Sequence, residues 1–160
     1  MANLGVFFAI EEDEVLRLKS ASDDDELKEI IEEIETEWDE EWIYETDKAW
    51  YAMHHALSVS LDAGDKALDA AVLGGMDLNE TDDYYVILKT PAQCAAIAQA
   101  LSPIGEAEFR AGFNKIDSSD YSFPLTDMDF DYTWGWFEGL ADYYKKVALA
   151  GRSVIFTLST

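Results

Sequence analysis

The chain has 160 residues, 49% hydrophobic and 13% aromatic, enough for one core and too apolar for a disordered segment. Its net charge is −23, from 34 acidic against 11 basic residues, a field that repels nucleic acid and anionic membrane and attracts basic partners. No apolar run approaches the roughly 18 residues needed to cross a bilayer, and a single cysteine, Cys94, excludes an internal disulfide.

These properties predict one domain in a reducing, cytoplasmic compartment, monomeric by default, with no nucleic-acid or membrane partner. The charge is also uneven. Between Glu11 and Asp47 there are 18 acidic and 3 basic residues, a net of −15, which leaves −8 for the other 123 positions. Such a block either steers a basic protein partner or keeps the surface soluble, at high salt in particular.

Taken in order, Leu4 to Ile10 reads as a buried strand; it lacks the basic n-region of a signal peptide. A short helix is expected near Asp13 to Leu18. Ser22 then reads as the cap of a second helix, with Asp25 reaching back to the cap backbone. Leu27, Ile30, Ile31 and Ile34 fall at i, i+3, i+4, i+7, a core stripe. The other face holds Glu26, Glu29, Glu32, Glu33, Glu35 and Glu37, and the spacing turns it to solvent. Of these, Glu26, Glu29, Glu32, Glu33 and Glu37 are the candidate contacts for a basic partner.

Trp42-Ile43-Tyr44 reads as a short extended segment, and Thr46 as the N-cap of a helix running to about Ser60. On that helix Asp47, Trp50, His54 and Leu57 would share an arc of about 80°. Asp62 to Asp65 is expected to be a loop, and Ala70 to Gly75 a small-residue element entering a tight turn. Tyr84 to Lys89 reads as the second strand. Thr90-Pro91 opens a helix to Leu101, and Ser102-Pro103 repeats that signal for one ending near Phe113. Asp117 to Pro124 is irregular. Tyr132 to Ala150 is expected to be one long helix closed by Gly151. Val154 to Leu158 makes the third strand. Few strands among many helices indicate an α+β fold.

Several blocks carry a family resemblance: Gly5-Val6-Phe7-Phe8; Asp47-Lys48 with Trp50 and His54; Ala71-Val72-Leu73-Gly74; Thr90-Pro91; Glu108-Phe109-Arg110 with Phe113; and Tyr143-Tyr144-Lys145 before Ala150-Gly151. In this order they resemble the YfbM-like family, small bacterial proteins classed as a domain of unknown function. Asp47, Lys48, Trp50, His54 and Gly74 are the signature positions. Ser122-Phe123 before Pro124 departs from the Ile-Tyr-Pro that relatives tend to have, and the acidic block is richer than the family pattern. The resemblance implies a single α+β domain, a mainly helical shell around a small sheet. It brings no established activity, cofactor or catalytic residue.

His54 is the one candidate acid or base, and the bland alternative is a packed core histidine beside Trp50 and Leu57. Asp47, seven residues away, would lie about 10 Å along a helix, too far to orient it. Asp77, Ser119 and Asp120 are candidate partners from loops. His55 projects about 100° round the helix from His54, so the two cannot clamp one metal ion as an i, i+4 pair would. Asp127, Asp129, Asp131 and Glu138 have the spacing of an EF-hand loop, but Tyr132 stands where the turn needs glycine. An acidic first turn of a helix is the better reading. Cys94, among Ala95, Ala96 and Ile97, reads as a buried thiol, and Gly74-Gly75 lacks the spacing and lysine of a phosphate loop. The expectation is a non-enzymatic binding protein without metal or cofactor, its acidic face turned to a basic partner, as in an inhibitor or immunity-type protein. The alternative is a hydrolase-like enzyme using His54 in a cleft beside Trp50.

Overall fold

The computed structural model describes residues 4–37, 39–57, 66–80, 84–117 and 125–159. Strand β1 (Leu4–Ile10) is followed by helices α1 (Glu12–Lys19) and α2 (Asp24–Thr36) and a 3₁₀ turn, Glu40–Trp42. Strand β2 (Ile43–Asp47), helices α3 (Trp50–His54) and α4 (Lys66–Ala70), and strands β3 (Met76–Asp77) and β4 (Tyr84–Lys89) come next. Helices α5 (Pro91–Leu101), α6 (Glu106–Phe113), α7 (Asp127–Phe137) and α8 (Leu140–Ala150) lead to strand β5 (Ser153–Ser159). The strands form one antiparallel sheet in the order β2-β1-β5-β4-β3. This is a single α+β domain.

Strand alternation sorts the sheet's side chains into two layers. Phe7, Ala9, Ile87, Val154, Phe156 and Leu158 join the large core formed with α3 to α8. Phe8, Ile10, Val86, Leu88 and Ile155 face the other way, where Val15 and Leu18 of α1 and Leu27, Ile30, Ile31 and Ile34 of α2 cover them.

Strands β1, β4 and β5 and helices α1, α2 and α5 lie where the sequence puts them, and several local expectations change. The cap of α2 is Asp23, whose carboxylate accepts from the Glu26 N–H at 2.9 Å. Glu26, not Asp25, reaches back, accepting from the N–H and hydroxyl of Ser22 at 3.0 and 2.6 Å. Thr46 caps no helix: it is buried in β2 and its hydroxyl donates to the Gly5 carbonyl at 2.8 Å. Asp47 therefore ends a strand, at φ 50°, and does not share a helical face with Trp50 and His54.

Ser102 closes α5 by donating its N–H to Ala98, and α6 begins only at Glu106, where Glu108 accepts from the Gly105 N–H at 3.0 Å. The long C-terminal helix begins earlier than Tyr132 and is two. Thr126 caps α7, accepting from Asp129 N–H at 3.1 Å, and the chain breaks at Glu138-Gly139, where Tyr44 donates its hydroxyl to the Trp136 carbonyl. The stretch from Asp127 to Phe137 with the EF-hand spacing is therefore helical, not a loop, and its acids lie in the first turns of α7. The expected loop at Asp62 to Asp65, and Ser122, Phe123 and Pro124, lie outside the described residues.

Gly5 sits where β1, β2 and β5 crowd together: a Cβ there would meet Phe156 Cζ and Thr46 Oγ1, each at 2.7 Å. Both neighbours are themselves buried. Gly5→Ala should therefore destabilise the protein by about 1–3 kcal/mol, the range for overpacking a core. A lower midpoint in chemical denaturation at unchanged slope is the expected result; an unchanged midpoint would mean that β1 shifts without cost.

Candidate functional site

The acidic face of α2 is real and outward: Glu26, Glu29, Glu32, Glu33, Glu35 and Glu37 are all exposed. They are not equivalent. Glu26 serves the start of its own helix, and its hydrogen bonds from Ser22 lower its pKa. Glu33 pairs with Arg17 of α1 at 2.5 Å. Glu29, Glu32, Glu33 and Glu37 border a shallow depression of about 360 Å³ on the outer surface.

Along one edge of the same helix, Lys28, Ile31, Glu32 and Glu35 form the wall of a groove of about 470 Å³ over the sheet. Its floor follows the strand register. Glu45, Val6, Thr157 and Val86 stand side by side across β2, β1, β5 and β4. The next row, Ile43, Phe8, Ile155 and Leu88, runs in towards the core that α2 covers. Leu4 and Tyr85, 41% and 37% exposed, also line it. Glu35 is exposed overall but borders the groove, and partial loss of water there, then the negative Glu32, raise its pKa.

The signature residues serve other purposes. Tyr132 of α7 donates its hydroxyl to Asp47 and accepts from the Lys48 N–H at 3.2 Å, fastening the β2–α3 turn to α7. Trp50 is half-buried against the large core, edge-on to Tyr51 at 5.6 Å. His54 is half-buried at the end of α3, where the helix runs on as a wide π-type turn. Burial first, then the neighbouring His55 and Lys89, push its pKa down to about 4. The two rings meet edge to face at 5.8 Å. Of the suggested partners, Asp77 is exposed on β3, and Ser119 and Asp120 lie outside the described residues.

Lys89, which the sequence reading passed over, is completely buried. Its ammonium donates to the carbonyls of Val72 and Gly74 at 2.8 and 2.9 Å. The glycine at 74 has a separate cause: a Cβ there would meet Asp69 O at 2.6 Å and Ala70 Cα at 2.7 Å, so only glycine lets the turn lie this close to the end of α4. Burial lowers the Lys89 pKa to about 7. Cys94 is buried too, and burial raises its thiol to about 11, which keeps it protonated and inert as a nucleophile. Glu11, Asp13 and Glu14 bring ligand oxygens within 4.8 Å of one another, but they are the cap and first turn of α1, in which Glu14 accepts from the Glu11 N–H.

A family model for a domain of unknown function (DUF1877) matches residues 1–157. The chain belongs to this family. Its fold is similar to the crystal structure of a protein of unknown function, YfbM from Escherichia coli, with a TM-score of 0.69 and 20% sequence identity over 97% of this chain and 99% of that one. At that identity the likeness speaks for the fold alone. No curated protein matches the chain. No described helix is long and apolar enough to cross a membrane.

The groove was missed in the sequence because its floor is a row across four strands, which no linear pattern displays. Half of its wall was visible, since Lys28, Ile31, Glu32 and Glu35 follow helical spacing. Lys89 gave no signal: a lysine ending a strand normally reaches solvent.

The Lys89 environment makes stability depend on pH. A lysine with a folded pKa of about 7 against 10.5 unfolded binds fewer protons when folded, so stability rises with pH between them. Cys94 acts in the opposite direction above its ordinary value of 9.0. From pH 7 to 9, the native protein should gain on the order of 2–3 kcal/mol relative to Lys89→Met. Urea denaturation of both across that window tests this; parallel curves would mean that Lys89 keeps its ordinary pKa in the fold.

Proposed function

We propose that this protein is a cytoplasmic, non-enzymatic binding protein whose acidic face captures a basic protein partner. The outer surface of α2 carries the reading. Glu29, Glu32, Glu33 and Glu37 stand exposed around one depression, on a helix anchored by four buried aliphatic residues. The net of −15 between Glu11 and Asp47 falls on consecutive elements, α1, α2, the 3₁₀ turn and β2, so the field is concentrated. Attraction of this kind accelerates encounter more than it slows release. An inhibitor or immunity-type protein that covers a basic surface is the narrower version.

The enzymatic alternative finds less support. A histidine with a pKa of about 4 is a weak base at neutral pH, and the one thiol is buried and protonated.

Reversing Glu29, Glu32 and Glu37 to lysine, sparing the Glu33–Arg17 pair, should change stability by about 0.5 kcal/mol or less. The wild-type chain should retain basic proteins at low ionic strength and release them near 1 M salt, where the Debye length is roughly 3 Å. The reversed variant should lose that retention. Equal retention by both would make the acidic face a solubilising surface only.

A further inference from the structure

We infer that the apolar groove between α2 and the sheet is the anchoring subsite for a short extended segment of the partner, in which one large aliphatic or aromatic side chain is flanked by lysine or arginine. This rests on the reading of the acidic face above and names the part of the partner that makes the contact specific.

The floor of the groove supplies the apolar half of the recognition. Val6 and Val86 flank Thr157 across three neighbouring strands, and Ile31 and Ile43 close the inner end. A volume of about 470 Å³ lies within the range of roughly 300–1,000 Å³ typical of ligand sites and accepts one large side chain with its adjoining backbone. The rim supplies the charge. Glu32 and Glu35 stand on the α2 side and Glu45 on the β2 side, against one cation among the described residues, Lys28. A purely apolar occupant would leave these carboxylates beside an apolar surface, and an anionic one would be repelled. Cationic groups on both sides of an apolar anchor satisfy both walls at once.

The surface continues in both directions, which favours a chain segment over a small cationic molecule. Glu32 borders both the groove and the outer depression of Glu29, Glu33 and Glu37. On the other side, Ile43 and Glu45 border both the groove and a second hollow, of about 490 Å³, that holds Glu40 and Glu138. An acidic track thus crosses the groove, with the apolar floor at its middle. Burial of one leucine-sized side chain there is worth roughly tenfold to a hundredfold in affinity.

The test is selection of a random displayed heptapeptide library on the 160-residue chain at low salt. The expected winners carry one Leu, Ile or Phe flanked by Lys or Arg, and bind at least tenfold more tightly than a Lys/Ser control peptide. Thr157→Phe, which fills the floor, should remove that preference and leave binding of the control unchanged. Thermal melting checks the fold of this variant. Independently of any variant, the winning peptide should shift the backbone amide resonances of Val6, Glu45 and Thr157 in the wild-type protein. Winners rich in Lys and Arg but without an apolar position, with shifts confined to Glu29, Glu33 and Glu37, would overturn the groove and leave the acidic face standing. No enrichment of Lys or Arg over the input library would overturn both.

Discussion

Strand β5 is the constraint on which the rest of the molecule depends. It pairs with β1 through every residue from Ser153 to Ser159 and with β4 through six, so its register cannot slip without turning each side chain to the wrong face. That fixed register sends Val154, Phe156 and Leu158 one way and Ile155 and Thr157 the other. The two faces are then covered unequally. Among the described residues, six helices close the first, and α1 and α2 with Leu78 lie on the second. The row Glu45, Val6, Thr157 and Val86 on the thinner side is the floor of the groove. The groove is thus a consequence of topology, and its charge comes from the element that happens to border it.

A second requirement shapes the thick side. The turn at 71–74 is drawn into the core, where carbonyls out of reach of water must find donors. Two buried groups supply them with three bonds: the Tyr144 hydroxyl to Ala71 at 2.6 Å, and the Lys89 ammonium to Val72 and Gly74. Tyrosine meets this need at little cost, because only a neutral hydroxyl is desolvated. Lysine does not, and the depressed pKa is the measure of what burying its charge costs. The Phe156 ring, 5.9 Å from the ammonium, offsets part of that loss. Tyr143 does similar work on the far side, donating to the Trp42 carbonyl at 2.8 Å, while Arg152 stacks on the Trp42 ring at 3.8 Å.

What could be read from the sequence follows from the range of the forces involved. Strands β1, β4 and β5 are continuous apolar runs, and the Leu27 to Ile34 stripe is local periodicity, so both were legible. Strand β2 was read as the end of an extended segment and the start of a helix, because Thr46 and Asp47 are good cap residues. Its pairing with β1 and the Thr46 bond to Gly5 are contacts across 41 residues, which override a local preference. The split between α7 and α8 is likewise set by Tyr44, far away in the chain. For the candidate site the division is the same. The acidic face is a property of one helix and was visible; the groove and the Lys89 contacts join distant segments and were not.

Asp47, Lys48, Trp50, His54 and Gly74 are occupied with holding the chain together. Asp47 and Lys48 take the two sides of the Tyr132 hydroxyl, Trp50 packs on the core, His54 sits where burial keeps it neutral, and Gly74 gives Lys89 its acceptor. Such positions specify a fold and leave open what the fold is for. The groups that border the groove, Glu32, Glu35 and Glu45, stand outside that set, in the acidic stretch between Glu11 and Asp47. They also sit on exposed surface, where charge can be exchanged at little cost to stability. A scaffold of this kind separates its two tasks: buried bonds across the sheet keep the floor of the groove in register, and the rim is free to take the charge its partner requires.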